Sequence, residues 1–459
     1  MPTLLEQLRA IVGNDGVLVG DALSARAASY WDSSPLVAKA LVRPRATDEV
    51  SAVLRLCHSL GQPVVTQGGG TGCVDGTVVG EQELVLSLER MATIEDIDPV
   101  GRTATVQAGA ILQTVQEAVA EQGMLFPLDL GARGSCTIGG NVATNAGGIS
   151  VIRYGMMRDL VLGLEVVLAD GRVITSLNTM LKNNAGYDLK QLFIGTEGTL
   201  GIVTRVVLKL REAPVTVNSA LVALETFEAV CGLLKHAGQR SGGSLSAFEV
   251  MWGEYYRAVT EPGWHRAPMT REHAFYVVLE TRGADEQTDG AQFMGLLEQA
   301  LEEGLIVDAV VPKSEQERAA IWAVREDFDA ITAIQPTFLY DVSLPIRHMA
   351  AYITDVQERL RQRWPHSHCY VLGHIGDGNL HLFVTPGQGD RSLHPQVDEA
   401  VYRPLQPFGG SVSAEHGIGL EKKAWLGLSR TAGELDLMRK MKTLLDPGSL
   451  LNPGKVFDA

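Results

Sequence analysis

The sequence predicts an α+β protein with at least two domains. Its 459 residues exceed what a single hydrophobic core usually supports. From Ala40 to Glu212, short β-branched runs alternate with helical patterns and glycine-rich turns. After Pro214 the glycine-rich segments stop, and strand-like runs alternate with helices. We therefore expect one domain over residues 1–212, a second over 213–409, and a C-terminal segment, 410–459, that returns to the first domain.

Composition excludes several classes of function. The formal net charge of −15 argues against nucleic-acid binding, which depends on clustered Lys and Arg. No apolar run approaches the roughly 18 residues typical of a membrane span. The five cysteines are scattered and include no CxxC pair, so we expect a reducing compartment, the cytoplasm.

The elements of the first part follow from periodicity. Residues Met1 to Gly20 have the pattern of a short amphipathic helix, not of a signal peptide. Further along we expect a helix over 50–60, strands over 63–65, 84–88 and 103–106, a helix ending near Gln122, and a strand ending at Leu210. In the second part we expect strands over 220–224 and 275–280 and helices over 227–238 and 292–303.

Three glycine-rich segments occur in the first part. Gln67 to Gly72 contains four glycines in five positions, and bare backbone of this kind can surround a phosphate with amide groups. The alternative for this loop alone is an ordinary turn between two strands. Small residues also fill Ser135 to Gly148, and a third segment runs from Gly195 to Thr204. Three such segments exceed what turns alone require.

Two histidines flank an Asp-Gly step in the second part. If Asp377-Gly378 is a two-residue hairpin loop, His374 lies opposite His381 on one face of the sheet. Their Cβ atoms would then be roughly 4.5–5.5 Å apart, close enough for one metal ion. The alternative is an ordinary pair of sheet histidines. Glu415 and His416 stand between glycines, just before a helix expected from about Glu421, and Glu415 could complete a site of two histidines and one carboxylate.

The segment from Ala40 to Glu212 resembles the flavin-binding half of the vanillyl-alcohol-oxidase family, also called the p-cresol-methylhydroxylase type. The resemblance implies a two-part FAD-binding domain and an α/β cap domain built on an antiparallel sheet. It also implies FAD. Members that tether FAD covalently often use a His or a Cys, but no His occurs between His58 and His236 and only Cys73 and Cys136 are local candidates, so we expect non-covalent FAD. The implied cofactor-binding residues are Gln67, Gly68, Gly69, Gly70, Thr71, Gly72, Pro127, Asp129, Ser135, Gly139, Gly140, Asn141, Thr144, Asn145, Gly148, Glu197, Gly198, Gly201, Ile202, Val203 and Asn452.

With the segments around His374 and Glu415, the chain resembles the D-2-hydroxy-acid dehydrogenase branch of this family, which includes D-lactate and D-2-hydroxyglutarate dehydrogenases. By that resemblance His374, His381 and Glu415 bind zinc or manganese, and His416 is the catalytic base. Arg325 matches the arginine that receives the substrate carboxylate, a task for which a guanidinium is suited. The implied reaction passes a hydride from Cα to flavin N5. A carbanion route would use the same residues.

The sequence departs from members of the branch that are selective for D-2-hydroxyglutarate. They carry Thr, Lys and Asn at the positions that are Asp329, Leu339 and Phe383 here. Because a buried carboxylate without a partner is costly, we expect a substrate with an uncharged side chain, such as D-lactate or a larger D-2-hydroxy acid. D-2-hydroxyglutarate is the alternative.

A different class of function also remains open: a flavin-bearing electron-transfer subunit of a larger oxidase complex. For the electron acceptor we expect a flavoprotein carrier, a cytochrome or a quinone, since the chain has no nicotinamide-binding fingerprint. A homodimer is one alternative for the assembly.

Overall fold

A computed structural model describes residues 2–458 of the protein. The chain divides into two compact units. The first contains the chain up to Gly147, Gly155–Ala213 and the chain from Glu415 onwards. The second contains Gly148–Tyr154 and Pro214–Ala414. Each unit combines helices with β-sheet, which confirms the predicted α+β class.

The first part of the chain, through Ala213, contains short helices and many strands. Its helices are α1 (Leu4–Val12), α2 (Asp21–Ser24), α3 (Thr47–Leu60), α4 (Leu112–Ala120), α5 (Ile138–Thr144), α6 (Val151–Tyr154) and α7 (Met157–Leu160). Its strands are β1 (Val17–Leu18), β2 (Ala40–Val42), β3 (Val64–Gln67), β4 (Leu84–Ser87), β5 (Ile94–Asp98), β6 (Thr103–Gln107), β7 (Met124–Leu125), β8 (Val161–Val167), β9 (Val173–Ser176), β10 (Ile202–Lys209) and β11 (Arg211–Glu212). The amphipathic helix expected near the start is α1; Met1 lies outside the described residues.

Two main sheets form the first unit. The smaller has the order β1-β2-β4-β3, and β2 and β3 both run parallel to β4. Helix α3 connects β2 to β3 and presents Val50, Val53, Leu54 and Cys57 to the core at helical spacing. It ends at Gly61, whose left-handed backbone suits glycine. The larger sheet is antiparallel, with the order β5-β6-β10-β8-β9.

The second unit is built on one antiparallel sheet of seven strands, as the resemblance implied. Its strands are β12 (Thr216–Leu224), β13 (Leu245–Trp252), β14 (Phe275–Gly283), β15 (Asp308–Val310), β16 (Phe338–Ser343), β17 (His368–His374) and β18 (Asn379–Thr385), in the order β15-β12-β14-β13-β17-β18-β16. Its helices are α6 together with α8 (Phe227–Arg240), α9 (Gly253–Val259), α10 (Asp289–Glu302), α11 (Glu315–Glu326), α12 (Asp329–Thr332), α13 (Met349–Arg363) and α14 (His394–Tyr402).

One face of this sheet carries an apolar cluster. Met251, Tyr276, Leu372 and Phe383 come from four different strands and pack with Trp322 of α11. Because alternate residues of a strand share a face, the same face continues from Met251 to Glu249 and from Phe383 to His381. Polar groups therefore lie at one end of an otherwise apolar face.

The last part of the chain contains α15 (Leu426–Ser429) and α16 (Ala432–Leu445). The prediction of a helix from about Glu421 was wrong. A single 3-10 turn at Lys423–Trp425 leads into the four-residue α15 instead. Arg430 then adopts an extended backbone, and Thr431 caps a new helix, so the helical pattern is interrupted.

No helix among residues 2–458 is long and apolar enough to cross a membrane. Within the same residues, no disulfide joins any of the five cysteines.

Candidate active site

The first glycine-rich loop contacts the second glycine-rich segment through bare backbone. A Cβ atom on Gly69 would lie 2.1 Å from Ser135 O, and a Cβ atom on Gly68 would lie 2.5 Å from Thr137 Oγ1. Real Cβ atoms do not approach other atoms this closely, so only glycine fits at either position. Gly70 follows with φ +68°, a conformation that also favours glycine. The loop thus lies close to the backbone just before the start of α5.

The third segment joins the same region through main-chain hydrogen bonds. Gly195 N donates to Val142 O at 3.0 Å, and Glu197 N donates to Ala143 O at 2.8 Å. Asn452 connects this segment to β3, because its Oδ1 accepts from Thr66 N at 2.8 Å while its Nδ2 donates to Glu197 O. The structure therefore brings together the three glycine-rich segments that the sequence analysis singled out.

Some of the other predicted cofactor residues make only local hydrogen bonds, and one of them, Gly148, belongs to the other unit. Thr144 donates to Gly140 O within α5, and Asn145 ends that helix in a left-handed conformation. Asp129, in the loop after β7, accepts a hydrogen bond from Arg133 at 2.7 Å. Gly148 belongs to the second unit, whereas the other predicted cofactor residues belong to the first.

Glu197 makes a contact that the sequence analysis did not foresee. Its backbone has φ +52°, and its carboxylate accepts hydrogen bonds from Ile418 N at 2.7 Å and Gly419 N at 2.9 Å. Burial raises the pKa of this carboxyl group, while the two amide donors and Lys422 act in the opposite direction. A Cβ atom on Gly417 would lie 2.8 Å from Glu197 Oε1. Glu197 therefore holds the turn that directly follows Glu415 and His416.

The hairpin that carries His374 and His381 differs from the predicted one. The predicted register was wrong: His381 lies opposite Leu372, and a 3-10 turn at Ile375–Asp377 precedes Gly378. The loop is longer than two residues because the chain makes this turn before Gly378, at φ +91°, leads into β18. His374 instead lies opposite Glu249 of β13. The two imidazole rings are nevertheless close, with centroids 5.3 Å apart.

Glu249 is buried and contacts both His374 and Arg325. Its Oε1 lies 2.7 Å from His374 Nδ1, and its Oε2 accepts from Arg325 Nε at 3.0 Å, with Arg325 Nη2 at 2.7 Å. Burial alone would raise the pKa of Glu249, but His374 and Arg325 outweigh it and the pKa is lowered. Glu249 was not among the residues predicted from the sequence. A signal was present, because a charged residue inside an apolar strand such as β13 needs a partner.

Arg325 is held at the end of α11. Its side chain is buried, and Tyr255 Oη donates to its carbonyl oxygen at 3.1 Å. The helix begins at Ser314, whose hydroxyl accepts from Glu317 N. Arg325 and His374, both predicted site residues, thus share Glu249 as a common partner.

Asp341 is a further acidic side chain next to a predicted ligand. It is fully buried and lies opposite His381 in the pairing of β16 with β18. Its Oδ2 accepts from Ser413 Oγ at 3.2 Å and from Ala414 N at 3.1 Å. Glu415 is the next residue along the chain, so this bond fixes the backbone at the point from which Glu415 follows.

Asp341 and His381 lie opposite each other in the second unit and carry a carboxylate and an imidazole. Imidazole and carboxylate are the donors that zinc and manganese accept. His381 was predicted as a ligand from the sequence, whereas Asp341 was not. The roles of His374 and Glu415 as ligands stay predictions.

The residues predicted to contact the substrate side chain fall into two environments. Leu339 and Phe383 lie opposite each other on β16 and β18 and belong to, or pack against, the apolar cluster. Phe328 packs against Phe383 with tilted rings whose centroids are 5.0 Å apart. Asp329, by contrast, begins α12 and is exposed in the structure.

Comparisons with known proteins agree with these features. Residues 38–176 match the FAD binding domain family, and residues 213–456 match the family described as FAD linked oxidases, C-terminal domain. The fold is similar to that of p-cresol methylhydroxylase (TM-score 0.78, 16% identity, covering 99% of this chain and 96% of that one) and of alkyldihydroxyacetonephosphate synthase (TM-score 0.76, 18% identity, 99% and 86%).

Among relatives in sequence is a D-2-hydroxyglutarate dehydrogenase from Xanthomonas citri pv. viticola, 42% identical over 93% of this chain and 90% of that one. The mitochondrial D-2-hydroxyglutarate dehydrogenase of Bos taurus is 43% identical over 91% of this chain and 77% of its own length. A putative mitochondrial D-lactate dehydrogenase from Schizosaccharomyces pombe is 34% identical over 98% and 89%. The chain therefore belongs to the FAD-linked oxidase family of the p-cresol-methylhydroxylase type, and within it to the FAD-dependent D-2-hydroxy-acid dehydrogenases.

Proposed function

We propose that this enzyme oxidises a D-2-hydroxy acid with an uncharged side chain to the 2-oxo acid, with the help of a divalent metal. The observation that carries the choice of substrate is the pair Leu339 and Phe383. These apolar side chains share a sheet face with Asp341 and His381, which lie two residues away along the same two strands. A substrate whose hydroxyl lies near His381 would direct its side chain toward an apolar surface. A carboxylate there would lose its hydration without gaining a partner.

Binding of the substrate carboxylate is assigned to Arg325. Glu249 engages Nε and Nη2 of this guanidinium, and the group carries further N–H donors on Nη1. A planar, permanently charged donor with one edge fixed suits bidentate binding of a carboxylate.

Metal binding is assigned to His374, His381 and Glu415, with Asp341 as an additional candidate. The donor types match those of a catalytic site that keeps positions open for substrate. A divalent cation, zinc or manganese, would lower the pKa of the substrate hydroxyl. The hydrogen bond from Ala414 N to the Asp341 carboxylate supports this assignment, because it fixes the backbone just before Glu415.

His416 is assigned as the base that removes the hydroxyl proton. The bonds from Ile418 N and Gly419 N to Glu197 restrain the turn just after it. FAD, when bound to the glycine-rich loops, would accept the two electrons that leave with the Cα hydrogen. In the alternative carbanion route His416 would remove the Cα proton instead.

D-2-hydroxyglutarate is the second candidate substrate, because the relatives from Xanthomonas citri pv. viticola and Bos taurus bear that name at 42% and 43% identity. Steady-state kinetics on purified, metal-loaded enzyme separate the two candidates. We expect kcat/KM to be higher for D-lactate, D-2-hydroxybutyrate or D-mandelate. A higher value for D-2-hydroxyglutarate than for all three would refute the uncharged side chain.

An anaerobic flavin-reduction screen tests the rest of the proposal. Both enantiomers of several 2-hydroxy acids would be mixed with the FAD-loaded enzyme, with and without a chelator. We expect bleaching of the flavin by the D enantiomer alone, and loss of bleaching after chelation. If no D-2-hydroxy acid bleaches the flavin, the reading as an electron-transfer subunit takes precedence. The acceptor that reoxidises the flavin is proposed to be a flavoprotein carrier, a cytochrome or a quinone.

A further inference from the structure

Glu249 is a buried acidic residue inside a strand of the seven-stranded sheet. It lies in β13 between Phe248 and Val250, with 1% of its surface exposed. Its two carboxylate oxygens serve different residues: Oε1 faces His374 Nδ1 at 2.7 Å, and Oε2 faces the Arg325 guanidinium at 2.7–3.0 Å. One buried anion thus joins a proposed metal ligand to the proposed substrate-binding arginine.

We propose that Glu249 is a positioning residue that orients His374 toward the metal and Arg325 toward the substrate carboxylate at the same time. The inference rests on the function proposed above and extends it. It assigns to one residue the coupling between metal binding and substrate binding.

The chemistry of the contact with His374 determines what that ring can do. A carboxylate only accepts hydrogen bonds. His374 Nδ1 must therefore carry a hydrogen and donate a hydrogen bond to Glu249. Nε2 is then the ring nitrogen with a lone pair for a metal. A carboxylate on the far nitrogen fixes the tautomer and orientation of a ligating imidazole and makes it more basic.

The contact with Arg325 has a similar effect on the guanidinium. Glu249 accepts a hydrogen bond from Nε, and Nη2 lies 2.7 Å from the same carboxylate oxygen, so this side of the group is anchored at Glu249. The remaining edge keeps its orientation for a second carboxylate. Glutamine cannot serve both partners as Glu249 does, because it offers one acceptor oxygen where Glu249 offers two.

The experiment compares Glu249→Gln with the wild-type enzyme as FAD-loaded full-length protein. After removal of metal with a chelator, Zn²⁺ would be titrated in competition with a chromophoric chelator. We expect the affinity for Zn²⁺ to fall about 10- to 100-fold, as for other residues that orient a ligating histidine. With saturating Zn²⁺, we expect KM for the best D-2-hydroxy acid to rise about tenfold through misplaced Arg325, by more than kcat falls.

Glu280→Gln is the matched control. Glu280 is also 1% exposed, lies on the neighbouring strand β14, and pairs with Arg282 at 3.0 Å and Arg318 at 2.9 Å. It has no contact with His374 or Arg325 among its described hydrogen bonds. The control should lose thermal stability as Glu249→Gln does, but keep the Zn²⁺ affinity and KM of the wild type.

The outcomes distinguish this inference from the proposed function. If the wild type binds Zn²⁺ and reduces its flavin, but Glu249→Gln matches it in Zn²⁺ affinity and KM, Glu249 is only structural and the inference is overturned. If the wild type binds no Zn²⁺, both fail. Should Glu249→Gln not retain FAD, Glu249→Asp decides. It keeps the charge but withdraws the carboxylate by one methylene group, so Zn²⁺ affinity below that of the wild type supports the inference, and equal affinity overturns it.

Discussion

Leu339 lies directly opposite Phe383 across the antiparallel pair of β16 and β18. Two residues further along each strand, in opposite chain directions, Asp341 lies opposite His381. A polar pair and an apolar pair thus follow one another on a single sheet face. This succession links the proposed metal group to the selectivity for the substrate side chain.

The first prediction concerns Leu339→Lys. Leu339 is only partly buried, so a lysine there can extend its ammonium toward solvent or a ligand. An ion pair with the distal carboxylate of D-2-hydroxyglutarate should raise kcat/KM for that substrate relative to D-2-hydroxybutyrate about tenfold. Steady-state kinetics on both substrates measure the ratio.

Leu339→Gln is the control for this change, since it adds polarity without charge. It should weaken turnover of D-2-hydroxybutyrate but leave the ratio closer to that of the wild type. An unchanged ratio in the lysine variant would mean that the side chain at position 339 does not face the substrate.

The second prediction concerns His416→Ala. As the proposed base, His416 should be needed for flavin reduction but not for FAD binding, because it is not among the predicted FAD-binding residues. We expect the visible spectrum of bound FAD to be retained and anaerobic reduction by the D-2-hydroxy acid to fall by about 10²- to 10⁴-fold. The exposed His366→Ala is the control and should reduce normally. Loss of FAD from the His416 variant would show that its role is misassigned.

Much of the fold was predictable because local patterns are strong in this chain. Helix α3 and strand β10 follow from apolar periodicity, and the three glycine-rich segments identify the nucleotide-binding part. The hairpin register was not predictable in the same way. Asp377-Gly378 is a good two-residue loop, but the chain forms a 3-10 turn first, and His374 pairs with β13 instead.

Glu249 and Asp341 show a second limit of the sequence. Each is a single acidic residue within a strand, and its importance depends on partners distant along the chain: Arg325 and His374 for Glu249, Ser413 and Ala414 for Asp341. Spacing along one segment carries no information about such contacts. The strand order places β13 beside β17 and so brings Glu249 to His374, whereas the contacts with Arg325, Ser413 and Ala414 depend on how α11 and the segment after α14 pack.

The third prediction concerns the thiols and the attachment of FAD. Burial raises the pKa of Cys57 and of Cys369 to about 12, and it also raises the pKa of Cys136. These thiols therefore stay protonated and unreactive at pH 8. A chromogenic disulfide reagent should titrate the partly buried Cys73 in the native enzyme, the partly buried Cys231 more slowly because burial and Glu228 raise its pKa, and all five thiols in denaturant.

The low reactivity of Cys136 also bears on the flavin, because Cys136 and Cys73 are the local candidates for a covalent tether. Precipitation of the enzyme with acid should release all of its flavin into the supernatant. Flavin that stays with the pellet would contradict non-covalent binding, and the Cys73→Ser and Cys136→Ser variants would then identify the attachment site.

The fourth prediction concerns Glu197, whose carboxylate holds Ile418 N and Gly419 N. In Glu197→Gln the backbone contacts of Glu197 with Ala143 and Asn452 stay intact, so the flavin loops should keep their conformation. The neutral amide is a weaker acceptor and replaces one oxygen by a donor, which faces an N–H group. The turn after His416 should loosen, and anaerobic flavin reduction should slow about tenfold, because a misplaced base loses rate steeply.

Absorbance spectroscopy and stopped-flow reduction separate the two roles that Glu197 can have. If its side chain serves mainly FAD, as the resemblance implied, the variant loses flavin affinity while the remaining holoenzyme reduces at the normal rate. If its side chain serves mainly the turn, flavin affinity is kept and the reduction rate falls. Glu212→Gln, an exposed acid on β11, is the control for the loss of one negative charge. The hydrogen bonds from Ile418 N at 2.7 Å and Gly419 N at 2.9 Å favour the second outcome, because both oxygens of the carboxylate already accept from the turn.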